Sequence, residues 1–250
     1  MTRLSARLLA TAATLALGCG LAPLAQAMPA AYTVTFTGTV TDGMDSGGLF
    51  GFGRDTNTFF TGQAFKIVYT VDPSQGHILD TDPEIRSIFG GTISGYSSPM
   101  SAVMTINGAS FAFSGVDDAG NVRLKNAGAL QDLIGANIKD GTGAGTSYYD
   151  QVSTQVQSLK HDFMPGLALD GAFSYTLQGD DFSDGKFLIK TAAAPGSLYN
   201  FYSANGVLSI NTVSVASLSG VTPAVPEPAS LLLCSAGLVA IAFAKRRRAA

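Results

Sequence analysis

Ala102-Val103-Met104-Thr105-Ile106-Asn107-Gly108-Ala109-Ser110-Phe111-Ala112-Phe113 decides the fold class. Apolar side chains recur at every second position on both sides of an Asn-Gly pair. A period of two is the signature of a half-buried strand. Asn-Gly suits a type I′ turn, whose twist matches that of the strands it joins. The stretch therefore predicts a β-hairpin, and the rest of the body follows the same grammar.

Upstream, Tyr32 to Val40 alternates, with Tyr32, Val34 and Phe36 on one face and Thr33, Thr35 and Thr37 on the other. Thr41 to Asn57 is glycine-rich and polar and reads as a long loop. Thr58 to Val71 reads as one long strand, in which Phe65, Ile67, Tyr69 and Val71 oppose Ala64, Lys66, Val68 and Thr70 and Asp72-Pro73 stops the run. Ser74 to Pro99 reads as irregular.

Downstream, Asp117 to Asn121 reads as a turn, Val122 to Lys125 as a short strand, and Ala127 to Thr146 as another glycine-rich stretch. Tyr149, Val152, Val156 and Leu159 have helical spacing, but their Val, Thr, Tyr and Ser surroundings favour a strand. Gly171–Gln178 and Lys186–Thr191 flank a turn at Gly179 to Gly185. Asn200–Ala204 and Val207–Ala216 read as a final pair around Asn205-Gly206. About nine to eleven strands with no βαβ rhythm predict an antiparallel β-sandwich, for which a jelly roll is one arrangement.

Composition agrees. With 29 glycines and only 13% charged residues, the chain suits a turn-rich β protein. Both cysteines, Cys19 and Cys234, lie in apolar terminal segments, so the body from residue 28 to 220 has neither disulfide nor cysteine chemistry. From Met28 to Val225 there are nine basic residues against seventeen acidic ones, 9 − 17 = −8. That balance disfavours nucleic acid and anionic lipid as partners.

The two ends carry addresses. Arg3 and Arg7, the apolar run Leu8 to Leu17, and Ala25-Gln26-Ala27 have the order of a signal peptide over residues 1–27, cleaved after Ala27. A lipoprotein signal ending at Cys19 fits poorly, because Ala16-Leu17-Gly18 precedes it. At the other end a linker and motif cover residues 221–228. Pro226 and Pro228 fix their own φ and keep Val225 and Glu227 out of the helical region, so the motif is expected to be an extended arm. Residues 229–244 carry no charge and would form a helix about 24 Å long, a short transmembrane span against a hydrocarbon core of about 30 Å. Lys245, Arg246, Arg247 and Arg248 would stop transfer and keep residues 245–250 cytoplasmic.

This three-part tail resembles the PEP-CTERM sorting signal of Gram-negative bacteria, with Val225, Pro226, Glu227 and Pro228 as the motif, then the apolar run, then the basic cluster. The resemblance implies processing by an exosortase, a membrane-embedded cysteine transpeptidase, after passage through the secretion translocon. It implies transient anchoring, then a place on the cell surface or outside, in the envelope or matrix of exopolysaccharide-producing cells. The pair "TFTGTVTDG" and "TGQAFKIVYTVDPS" is similar to the strand, loop and strand that open many such exoproteins.

Candidate chemistry in the body is thin. His161-Asp162 would supply two-thirds of a hydrolytic triad, but no G-x-S-x-G elbow accompanies it, and it reads more simply as a surface pair. His77, Asp80, Asp82 and Glu84 are potential metal ligands at a spacing that matches no known site, with Pro83 limiting their convergence. Asp180, Asp181 and Asp184, and separately Asp42 and Asp45, raise the question of Ca²⁺, although Asp and Gly are ordinary turn residues. Gly38 to Gly53 lacks the lysine and order of a phosphate loop. Glycoside hydrolysis needs two carboxyl groups at a set separation, and Glu84 is the body's only glutamate. The chain has no Trp, but Tyr96, Tyr148, Tyr149, Tyr199 and Tyr202 are available to stack on sugars. The expectation is a non-enzymatic protein without catalytic, cofactor or metal residues. A secreted carbohydrate-binding module or carbohydrate-active enzyme on the same fold is the alternative.

Overall fold

A computed structural model describes residues 30–52, 58–126, 131–141, 149–192 and 201–218. Among them are thirteen strands and no helix. In chain order they are β1 (Tyr32–Asp45), β2 (Thr58–Phe59), β3 (Ala64–Val71), β4 (His77–Asp82), β5 (Ile85–Gly90), β6 (Met100–Ile106), β7 (Ala109–Phe113), β8 (Asp118–Asn126), β9 (Gln131–Gly141), β10 (Tyr149–Ser158), β11 (Phe173–Thr176), β12 (Phe182–Ala192) and β13 (Phe201–Ser217). The predicted signal and transmembrane segments, and Tyr148 and Tyr199, lie outside the described residues.

The strands form one antiparallel sheet in the order β4-β5-β8-β9-β10-β12-β13-β1-β3-β6-β7, with β2 on β1 and β11 on β13. The sheet curls, so that β6 and β7 come to lie against β8, β9 and β10. This is the sandwich-like, all-β class that the alternation predicted. Two buried hydrogen bonds cross between its wings. Tyr32 Oη donates to Asn121 Oδ1 at 3.0 Å, joining β1 to β8. Thr154 Oγ1 donates to Tyr69 Oη at 3.1 Å, joining β10 to β3. Phe36 meets Tyr69 edge to face at 5.9 Å between them.

The core is built from alternate residues of facing strands: Val34 and Phe36, Ile67 and Val71, Met104 and Ile106, Ile134 and Ile138, Val152 and Val156. Two bulges keep the long central pair in phase with it. Asn211 is an extra residue in β13, so Leu208 and Ile210 before it and Val213 and Val215 after it all point inward. Thr41 does the same for β1, turning Gly43 and Asp45 inward after Val40. A bulge inserts one residue and inverts the alternation beyond it.

The hairpin at Asn107-Gly108 is as expected. Both residues have positive φ, 51° and 76°, which is the type I′ conformation. The second Asn-Gly pair behaves differently. Asn205-Gly206 lies inside β13, paired on one side with Met44 and Gly43 and on the other with Leu188 and Phe187. A Cβ on Gly206 would fall 2.7 Å from the Phe187 ring and 2.8 Å from the Asp42 carbonyl oxygen. Glycine serves close packing here rather than a turn.

Other expectations shift too. Thr41 to Asp45 continues β1 instead of opening the loop. The predicted Thr58–Val71 strand breaks at Gly62, whose φ is 86°. Ser74 to Pro99 contains the β4–β5 hairpin, and Ala127 to Thr146 contains β9. The predicted turn at Asp117 to Asn121 lies largely within β8. β11 pairs with β13 and does not form a hairpin with β12, which begins at Phe182. The end of β1, β5, β8 and β11 are carried by pairing to strands distant in the chain, which overrides weak local preference.

Candidate functional site

The residues singled out in the sequence are placed apart by the fold, and most of them serve it. His161 turns away from Asp162. Its Nε2 lies 3.1 Å from Asp180 Oδ1, while Asp162 pairs with Lys125 Nζ. His77 stacks on Tyr96 at 4.7 Å and meets the edge of Phe89 at 5.3 Å. Asp80 faces Arg86 at 3.5 Å, Asp82 accepts from the Glu84 amide at 2.8 Å, and Glu84 accepts from Asn126 Nδ2 at 3.0 Å. These four have separate partners and do not converge on one point.

Asp45 is fully buried and accepts from the amides of Gly47, Leu49 and Phe50 at 3.1, 3.1 and 2.8 Å. It folds the following loop onto the Phe50–Phe60–Phe187 cluster, and Asp42 stays exposed. Asp132 has the same kind of role. Buried beneath the segment after β10, it accepts from the Phe163 and Met164 amides at 2.7 and 2.6 Å. Beside it, the buried Arg123 guanidinium donates to the carbonyls of Ala168, Leu169 and Gly171. Burial lowers the Arg123 pKa to about 10.

Asp180 and Asp181 do meet His161, with one ligand atom from each within 4.8 Å of the others. They are already engaged. Lys160 Nζ sits 2.7 Å from Asp180 Oδ2, and with His161 it holds that carboxyl down at about 2. Asp181 Oδ2 accepts from Tyr175 Oη at 2.6 Å and from the Gln178 amide at 2.7 Å. A cation entering here would compete with Lys160 for Asp180, while Asp181 Oδ1 is buried with no hydrogen-bond partner among the described residues. The cluster is an ionic clasp between the end of β10 and the start of β12. Asp184, proposed with the other two, stands on the outer face of β12, opposite Gln155.

That outer face holds a groove that the sequence reading did not identify. It encloses about 170 Å³ across β8, β9, β10 and β12 and is lined by Val122, Asn137, Ser153, Gln155, Asp184 and Lys186. Register explains the shape. Val122, Gly135, Gln155 and Asp184 form one cross-strand row, and Gly120, Asn137, Ser153 and Lys186 form the next. Gly135 has no side chain, so the first row dips between Val122 and Gln155. The signal was present in β10, whose outward positions Gln151, Ser153, Gln155 and Gln157 are all polar and uncharged. Of the described tyrosines, Tyr149 lies between Lys139 and Lys190, at 4.8 and 5.5 Å, and Tyr96 joins the His77–Phe89 cluster.

Residues 224–248 match the family model for the PEP-CTERM protein-sorting motif. The chain carries a PEP-CTERM sorting signal. Pro226, Glu227, Pro228 and Lys245 to Arg248 all fall within the match. This signal implies export, an exosortase as processing partner, and a surface or extracellular destination. No curated protein and no solved structure matches the chain.

Proposed function

We propose that the body is a non-catalytic component of the cell envelope or extracellular matrix, associated with exopolysaccharide. The observation that carries this reading is the sorting signal at residues 224–248, attached to an all-β body. The polar groups in that body that most resemble catalytic or metal ligands are committed to structural bonds: Asp45 to a loop, Asp180 to Lys160 and His161, Asp181 to Tyr175. In this reading the chain crosses the inner membrane through the secretion translocon and loses residues 1–27. It is held by residues 229–244 until an exosortase acts.

The second reading is a secreted carbohydrate-binding module or carbohydrate-active enzyme. The outer-face groove favours its binding half. Among the described residues Asp184 is the one carboxylate lining that groove, whereas glycoside hydrolysis uses two.

The test separates the motif from the span. Glu227→Gln, or Pro226→Ala with Pro228→Ala, leaves residues 229–250 intact. The prolines present an extended strand at little ordering cost, and Glu227 offers a charge for the enzyme to pair with. Both variants are expected to insert in the membrane yet escape processing and accumulate uncut. Mass spectrometry of both termini, in an exosortase-positive host and its deletion strain, reads the outcome. The mature N-terminus is expected at Met28. Wild-type protein that keeps Lys245 to Ala250 in the positive host refutes exosortase processing.

A further inference from the structure

We propose that the groove across β8, β9, β10 and β12 binds a strand of neutral polysaccharide. This inference rests on the matrix reading above and names the surface that would serve it.

Four side chains lining the groove have unused bonding capacity. The Ser153 hydroxyl, the Gln155 amide, the Asp184 carboxylate and the Lys186 ammonium make no side-chain hydrogen bond or ion pair among the described residues. Several carboxylates elsewhere are bonded within the chain, as at Asp45, Asp132, Asp180 and Asp181. Donors and acceptors alternate here over adjacent positions: ammonium beside hydroxyl, carboxylate beside amide. A sugar hydroxyl both donates and accepts, so it fits such a mixed surface better than a ligand of one sign does. Val122 supplies an apolar wall for the C–H face of a ring.

Size and charge narrow the ligand class. Pockets for drug-sized molecules run to about 300–1,000 Å³. At about 170 Å³ the groove suits one or two sugar units of a longer chain. One Asp and one Lys leave it neutral locally, and the −8 of the body opposes a polyanion. Beyond the groove, its second cross-strand row runs on past Asn137 to Gly120 of β8. Gly120 pairs with Phe89 of β5, and Phe89 packs on His77 and the half-exposed Tyr96. From β12 to β5 is four strand spacings, about 19 Å. A chain crossing the strands would end on this aromatic cluster.

The test is native affinity electrophoresis of the full chain in a sugar-free, non-ionic detergent. The gels contain soluble neutral glucans, mannans or galactans, or as controls alginate and glycol chitosan. Retardation by at least one neutral polymer is expected. Ser153→Ala with Gln155→Ala removes two polar contacts and should weaken retention about tenfold. Gly135→Val fills the floor and should abolish it. Tyr96→Ala should lose part of it.

Circular dichroism and the thermal midpoint show which variants remain folded, and the Ser153/Gln155 pair, on a solvated face, is expected to do so. Folded groove variants that run like the wild type overturn the site. Retention unchanged in Tyr96→Ala overturns the path across the strands. Retardation only by a charged polymer, or by none, overturns the ligand class. In those cases a protein still exported and held in the matrix leaves the matrix reading standing. A protein that never leaves the cytoplasm refutes that reading, whatever the groove binds.

Discussion

Lys125 reaches two carboxylates of very different burial, and comparing their removal tests whether burial or ion pairing holds the segment after β10. Asp132 is 2% exposed and accepts the amides of Phe163 and Met164 as well as Lys125 Nζ at 3.4 Å. The Asp162 side chain is 60% exposed and pairs with Lys125. Asp132→Ala strands two buried amides, at about 1–3 kcal/mol each, so a loss of about 4 kcal/mol is expected. With an m-value of about 3 kcal/mol/M in urea, the midpoint should fall by about 1.3 M. Asp162→Ala should leave the midpoint within error, because an exposed pair gains little over solvation. Asp132→Asn keeps an acceptor oxygen and should fall between the two. Without tryptophan the chain is followed by far-UV circular dichroism or tyrosine fluorescence. A loss under about 1 kcal/mol for Asp132→Ala, or equal losses for both alanine variants, would refute the argument from stranded amides.

The two Asn-Gly pairs should respond differently to alanine. Gly108→Ala strains a positive φ with open space around it and should cost about 1 kcal/mol, whereas Gly206→Ala meets the Phe187 ring and the Asp42 backbone and should cost more, about 2–3 kcal/mol, both read by urea unfolding. Burial holds Tyr32 and Tyr69 well above the usual tyrosine value of 10.0. Burial together with the Asp181 carboxylate does the same for Tyr175. A folded-state pKa raised in this way contributes stability that is present below pH 10 and lost as pH rises. Alkaline unfolding should therefore begin above about pH 10 and coincide with late tyrosinate absorbance at these groups, and early reversible ionisation of all the tyrosines would contradict it. Because Lys160, His161 and Tyr175 already occupy Asp180 and Asp181, chelator should leave the thermal midpoint unchanged; a fall restored by Ca²⁺ would show that the clasp opens to a cation.

The sequence by itself determined what depends on neighbours in the chain. The alternation at Tyr32–Val40 and Phe65–Val71 is local, and so is the turn at Asn107-Gly108, because a strand's two faces and a tight turn are set by adjacent residues. The sorting signal is local as well, since it must be read as a linear peptide, and its residues 224–248 carry it without help from the body. Tertiary structure decided everything that pairing brings together. Asn205-Gly206 has the composition of a turn, yet lies within β13, because β1 and β12 hold both its edges and leave no room for a side chain at Gly206. His161 has Asp162 beside it in the chain but faces Asp180, because Lys125 takes Asp162 and the loop before β12 returns to the end of β10. The groove exists only through register, which sets Val122 of β8, Gly135 of β9, Gln155 of β10 and Asp184 of β12 in one row. A slip of one residue in any of these pairings would turn those side chains into the core, and no local pattern encodes which strands become neighbours.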